Sequence, residues 1–408
     1  MRTYRCNTHF KKSNLKAMNT PQEGMIKLSF TGDIMFNDSY ARKFNQSNGS
    51  ILNYSFDGLK SFFETSDFVV GNLETPVAGV EAKLSFEQYV FNAPVEFAIK
   101  LKQVGFDLVT LANNHVLDRG IKGLEATMRN LKKIDLNFTG TRLSENDMPF
   151  FIKEINGVHI GFINFTYGTN AHVNHHYLKS DEQFRINLLQ SQELSNFLKR
   201  KIEQYRGPLA WLIKGISKKL KLFQMDKQVH ERIEKNSKQL SQLKETIEYC
   251  RSKGADIVIA CQHIGTQNRE FPQPYAEFLA KKTIDFGADA VIANHEHVIQ
   301  LVDEYKGKPI FYCLGNFFYD GKNNLDGDSN CSIIANLYID PKEKRIEELG
   351  FNVIKTWDGT GNPIVKNMAE IVTDNPSDTS KTELNQAITS VLNADLADYP
   401  VQNEYFMT

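Results

Sequence analysis

MIKLSFTGDIMF, residues 25–36, is a short apolar run that closes on a glycine and a carboxylate. Isoleucine, leucine and phenylalanine at this density read as a β-strand, and Gly32-Asp33 as the place where it ends. The same pattern recurs along the chain. DFVVGNLE (67–74) ends on Glu74, FDLVTLANNH (106–115) on Asn114 and His115, ADIVIACQHIG (255–265) on His263, and DAVIANHEHV (289–298) on His295 and His297. VVGNL and ADIVIA are apolar at successive positions, as strands are in a sheet covered on both faces.

Between these runs lie helical stretches. PVEFAIKLKQVG (94–105), GLEATMRNLKKI (123–134) and PYAEFLAKKTIDFG (274–287) carry apolar residues at i, i+3 and i+4, and two of them stop at glycine. PFFIKEINGVHIGFINFTYGT (149–169) reads as a hairpin about Asn156-Gly157. KPIFYCLGNFF (308–318) and CSIIANLYID (331–340) add late strands. Alternating strands and helices followed by antiparallel strands predict a layered α/β fold.

Ligands of an open α/β sheet bind beyond the carboxyl ends of its strands. Five strand ends here carry Asp, Glu, Asn or His. A single strand-end histidine is ordinarily just a satisfied polar group, and Asp33 or Asn113-Asn114 alone would be turn formers. Together, Asp33, Glu74, Asn114, His115, His263, His295 and His297 predict one shared metal site. Imidazole mixed with carboxylate favours Mn, Fe or Zn over Mg or Ca, as one or two divalent ions. In His295-Glu296-His297, residues i and i+2 of an extended chain would turn both imidazoles to one cavity.

Composition narrows the partners. The 408-residue chain has a formal net charge of −1, which makes no electrostatic case for nucleic acid. Five cysteines without CxxC spacing read as buried free thiols of a reducing compartment. No run is long and apolar enough to span a membrane, and the basic, polar residues 1–24 lack the apolar core of a secretory signal. These features predict a cytoplasmic protein whose first 24 residues are disordered. The stretch 188–247 is read as a helical insertion. Within it, residues 199–240 hold 12 Lys/Arg against 4 Asp/Glu, a local net of +8. That segment is either a solvated helical hairpin or an interfacial element docking on a membrane surface or a protein. Residues 361–408 read as a polar C-terminal extension, and the oligomeric state is not legible.

GDIMFND, VGNLETPV, GFDLVTLANNHVLDRG, ADIVIACQHIG, GADAVIANHEHVIQ and IFYCLGNFFYD, in this order, resemble the motifs of the CapA family, named for poly-γ-glutamate capsule synthesis, within the calcineurin-like metallophosphoesterase superfamily. The resemblance covers roughly residues 25–355 outside the insertion. It implies an α/β fold of four layers, an αββα sandwich, over residues 25–360, interrupted by the helical insertion. It also implies metal-assisted hydrolysis of a small-molecule or polymer substrate, a phosphoester or a γ-glutamyl or peptide-type bond linked to capsule or envelope polymer. Asp33, Asn114, His263, His295 and His297 fall on the superfamily's ligand motifs. His115 falls on its acid/base position, with Asp118 placed to orient it. Two departures stand out. Met35 replaces a histidine that the superfamily carries two residues after its first aspartate. The bridging aspartate is missing, with Asn72 or Glu74 nearby and Asn113 beside the ligands. The alternative reading is a non-catalytic protein that binds metal or polymer in support of poly-γ-glutamate synthesis or export.

Overall fold

Parallel strands buried on both faces form the centre of each of two sheets. The computed structural model describes residues 10, 12–16, 23–79, 89–190, 192, 236–321, 330–358, 362–374 and 376–407. Most of the basic insertion, 193–235, lies outside the described residues, and with it most of the predicted docking segment. The strands are β1 (Ile26–Ile34), β2 (Phe68–Leu73), β3 (Leu108–Thr110), β4 (Asn137–Thr139), β5 (Phe150–Ile155), β6 (Val158–Thr166), β7 (Ile257–His263), β8 (Ala290–Asn294), β9 (Val302–Tyr305), β10 (Lys308–Phe311), β11 (Asn316–Phe318), β12 (Cys331–Asp340), β13 (Arg345–Trp357), β14 (Pro363–Asn367) and β15 (Tyr405–Phe406).

The first sheet runs β14-β13-β12-β1-β2-β3-β4, with β11 beside β1 and β15 beside β13. Its β1, β2, β3 and β4 are parallel. The second runs β5-β6-β7-β8-β10-β9, with β6, β7, β8 and β10 parallel. Side-chain alternation sorts each strand between two cores. Leu28, Phe30, Phe68 and Val70 meet Phe162, Ile257, Ile259 and Ile292 between the sheets. The opposite faces carry helices. Val69 and Val109 pack with Phe97 and Leu101 of helix Val95–Val104 and with Leu124 and Met128 of helix Gly120–Lys133. Val258 and Val291 pack with Leu243 and Ile247 of helix Ser237–Ser252 and with Leu279 and Ile284 of helix Pro274–Asp285. The result is helix, sheet, sheet, helix, the four layers expected.

The predicted hairpin forms between β5 and β6, with Asn156 at φ 47° and Gly157 at φ 80°. Both central residues of a type I′ turn need positive φ, which Asn-Gly tolerates best. Among the described residues no helix is long and apolar enough to cross a membrane. Cys250, Cys261, Cys313 and Cys331 are buried and form no disulfide.

Described parts of both chain ends pack against the body of the fold. Of residues 1–24, the structure describes 10, 12–16, 23 and 24, and Phe10 is buried against Tyr312, ring centres 5.7 Å apart. Ser13 N donates to Leu392 O at 3.0 Å and Lys16 N to Phe406 O at 2.8 Å. The anchor is backbone pairing with the far end of the chain, which leaves no trace in local composition. The tail is likewise part of the domain. Helix Asp378–Leu392 sets Leu384, Ile388 and Val391 into the inter-sheet core, and β15 pairs with β13.

Candidate metal centre

The carboxyl ends of β1, β2, β3, β7 and β8 converge. Asp33 lies where the pairing of β1 with β2 shifts register between Thr31 and Asp33. Gly32 makes that possible: a Cβ there would collide with the Gly315 carbonyl. The close approach lets β11 pair with β1, so that Asn316 stands opposite Asp33. Glu74 is the first residue after β2, and Asn114 and His115 follow β3 in a loop. His263 is the last residue of β7.

His295 and His297 reach the same place by another route than expected. The chain leaves β8 at Asn294 and takes φ of +116° at His295 and +60° at His297. It is not extended there. Non-glycine residues rarely hold such values outside sites that need them. Glu296, between them, turns to the Thr266 N–H at 2.8 Å, and burial pushes its carboxyl up to about 7.

His263 Nε2 is the hub. It lies 2.8 Å from Asn114 Oδ1, 3.1 Å from His295 Nδ1 and 3.5 Å from Glu74 Oε1. A second group forms beside it. Asp33 Oδ2 stands 3.1 Å from His297 Nδ1, which is also 2.8 Å from Asn316 Oδ1. Glu74, His295 and His297 bring donor atoms within 4.8 Å of one another, and so do Asp33, Glu74 and His263. Glu74 belongs to both sets. It is fully buried, and neither of its oxygens accepts a hydrogen bond. A buried carboxylate in that state costs several kcal/mol unless cationic neighbours compensate it. These donors fit a divalent ion, the carboxylates and imidazoles of Asp33, Glu74, His263, His295 and His297 being the residues able to hold it.

Around this ring sits a supporting layer. Asn72 Nδ2 donates to Asp33 Oδ1 at 2.7 Å and stands 3.2 Å from His263 Nδ1. Its Oδ1 accepts from Thr110 at 3.0 Å and Asn113 at 3.4 Å. Asn72 is thus engaged by its neighbours on every side, whereas Glu74 is not. Met35, two residues after Asp33, is buried.

His115 faces the ring from one side, its Nε2 3.8 Å from Glu74 Oε1. Its Nδ1 pairs with Asp118 Oδ2 at 2.7 Å, and Phe91 stacks on the imidazole at 4.2 Å. Asp118 is pinned in turn by Phe91 N at 2.7 Å and by Asn174 Nδ2 at 3.2 Å.

The electrostatics divide the histidines. Burial holds His295 well below the usual value, and the neighbouring histidines push it further down, so its ring is neutral and ready to ligate. Burial also opposes charge on His297, but Glu74 and Asp33 outweigh it and bring it up to about 9. At His115 burial is again the largest influence, and Asp118 and Glu74 together overcome it, leaving the pKa raised. Burial alone would raise Asp33, yet His297, His263 and Asn72 hold it below the carboxylate range.

All the residues singled out in the sequence therefore meet: Asp33, Glu74, Asn114, His115, Asp118, His263, His295 and His297, with Asn72 and Asn113 beneath them. Asn316 and Asn174 were missed. Asn316 occupies the start of a strand in a run already recognised, but Asn there carries no obvious ligand signal.

A family model described as bacterial capsule synthesis protein PGA_cap matches residues 27–321. A capsule biosynthesis protein CapA of Bacillus anthracis is 28% identical over 300 residues, 72% of this chain and 60% of that protein. A PGA biosynthesis protein CapA of Bacillus subtilis is 26% identical over 317 residues, 76% of this chain and 67% of that one. The match thus spans about three-fifths of the first relative's length. Among solved structures, one described as a novel phosphatase of Mycoplasma pneumoniae aligns at 14% identity and a TM-score of 0.40, covering 82% of this chain and 95% of that one.

Proposed function

This chain belongs to the bacterial capsule synthesis (CapA) family, and we propose that it is a metal-dependent hydrolase whose substrate is a phosphoester or a γ-glutamyl or peptide-type bond in an envelope polymer. The observation that carries this reading is Glu74, a fully buried carboxylate with both oxygens unbonded, set between two groups of donors.

A divalent ion bound there would supply Lewis-acid polarisation of the scissile group and a lowered pKa for water. Asp33, Glu74, Asn114, His263, His295 and His297 would hold it, with Mn, Fe or Zn suited to this mixture of imidazole and oxygen. His115 has its Nδ1 engaged by Asp118 and its Nε2 turned to the centre. In that orientation it donates a proton to the leaving group or a hydrogen bond to developing negative charge. Asp118 fixes the tautomer and supports the charged ring. Phe91 covers one face of His115 and keeps water from it.

The test is elemental analysis joined to turnover of a generic phosphodiester with Mn²⁺ added. Activity that disappears in His115→Ala and His263→Ala supports the enzyme. The second reading, a metal- or polymer-binding protein without turnover, is favoured by one feature: Met35 stands where the superfamily carries a histidine. Retained metal with no hydrolysis of phosphoesters or γ-glutamyl peptides would select it.

A further inference from the structure

Tyr167 is the first residue beyond β6, and the reading above gives it no part. Its backbone N–H donates to the His263 carbonyl at 3.0 Å, tying it to the end of β7. Its ring lies nearly parallel to His263, 15° between planes and 6.4 Å between centres. It meets His295 more closely, at 4.6 Å and 47°. Two imidazoles of the centre thus share one aromatic wall. The turn that follows is stiffened by Thr166, whose Oγ1 donates to Gly168 O at 3.0 Å and accepts from Gly168 N at 3.3 Å. Three residues after Tyr167, Asn170 holds a left-handed φ of 49° and places its Nδ2 3.5 Å from His115 Nε2.

The phenol is the unexplained part. A phenylalanine would pack against the imidazoles equally well. The Tyr167 side chain is part-exposed beside His295, and its hydroxyl makes no hydrogen bond to any described residue, so it is open to a ligand. We propose that Tyr167 is a substrate-contacting residue: its phenol donates a hydrogen bond to an oxygen of an anionic group held at the metal centre. Asn170, on the same turn, is the second donor, on the His115 side. This inference rests on the metal-centre reading. It adds that a neutral pair of donors recognises the oxygens that a metal leaves free, tetrahedral phosphoryl oxygens being the simplest case.

The experiment uses the full chain loaded with Mn²⁺, with inorganic phosphate as the probe. Bound metal is measured by elemental analysis, and phosphate affinity by calorimetry, for the parent, Tyr167→Phe and Asn170→Ala. Tyr167→Phe is expected to keep its full metal content and to bind phosphate about tenfold more weakly, the effect of one lost hydrogen bond to a charged group. Asn170→Ala is expected to weaken phosphate binding in the same direction. Unchanged phosphate affinity in Tyr167→Phe overturns the proposal. Loss of metal together with phosphate in Tyr167→Phe marks a packing role and overturns it too. A metal-loaded parent that ignores phosphate overturns it while leaving the metal centre standing. A parent that takes up no metal removes both readings together.

Discussion

His263 Nε2 stands 3.5 Å from Glu74 Oε1, and no hydrogen bond satisfies either oxygen of that carboxylate. Glu74 comes from the end of β2 in the first sheet and His263 from the end of β7 in the second. The two sheets therefore meet, at their carboxyl edges, across a buried carboxylate that no hydrogen bond satisfies. A cation between them would resolve it, and the predictions below follow from that.

Glu74→Gln removes the charge and keeps the shape. With Mn²⁺ at about 100 times its Kd, the parent should gain about 2.7 kcal/mol from ligand linkage. The variant should lose most of that gain. Melting curves with and without Mn²⁺ check this, and an undiminished metal-induced shift in Glu74→Gln contradicts it.

Metal affinity should climb with pH. His297, brought up to about 9 in the metal-free protein, must release its proton before it can ligate. Its folded value exceeds the unfolded one. Its charge therefore stabilises the metal-free fold fully below about 6.5, and that contribution fades as pH rises through about 9. Metal competes with the same proton, so Mn²⁺ binding should strengthen by up to about tenfold per pH unit between these values and level off above. Titrations at three pH values decide the matter, and a flat profile rules out His297 as a ligand.

Asp118→Asn should leave metal content unchanged and lower kcat. His115 depends on Asp118 for its orientation and its raised pKa. Losing general acid catalysis costs roughly 10²–10⁴-fold. His115→Ala and the double variant should fall by similar factors, since the two residues act as a unit. Additive losses would show independent roles.

Ile388→Ala should destabilise the whole domain by about 2–5 kcal/mol, as large-to-small changes in a packed core do. Ile388 is fully buried in the inter-sheet core. Urea unfolding would expose the alternative. A shift below about 0.5 kcal/mol would mean that the tail is an appendage.

Much of the fold was legible because its strands are apolar runs closed by polar residues and its hairpin turns on Asn156-Gly157. The site was legible for the same reason: five strand ends displayed ligand chemistry in order. The rest was hidden by contacts between distant residues. The spacing of TELNQAITSVLN marks a helix, but nothing local says that Leu384 and Val391 share a core with β12 and β13. Residues Ser13 and Lys16 are held through backbone atoms, which leave composition untouched. The extended geometry assumed for His295-Glu296-His297 is replaced by two positive φ values, although both rings still reach the centre. Asn72 and Glu74 were ambiguous as substitutes for a bridging carboxylate. Only the hydrogen bonds of Asn72 and the absence of any on Glu74 separate them.

The most direct measurement is the metal content of the purified full chain after equilibration with Mn²⁺ and removal of free ion, determined for the parent, Glu74→Gln and His263→Ala. The account predicts one or two divalent ions per chain in the parent and a loss of at least one of them in each variant. A correctly folded parent that retains no metal would contradict it.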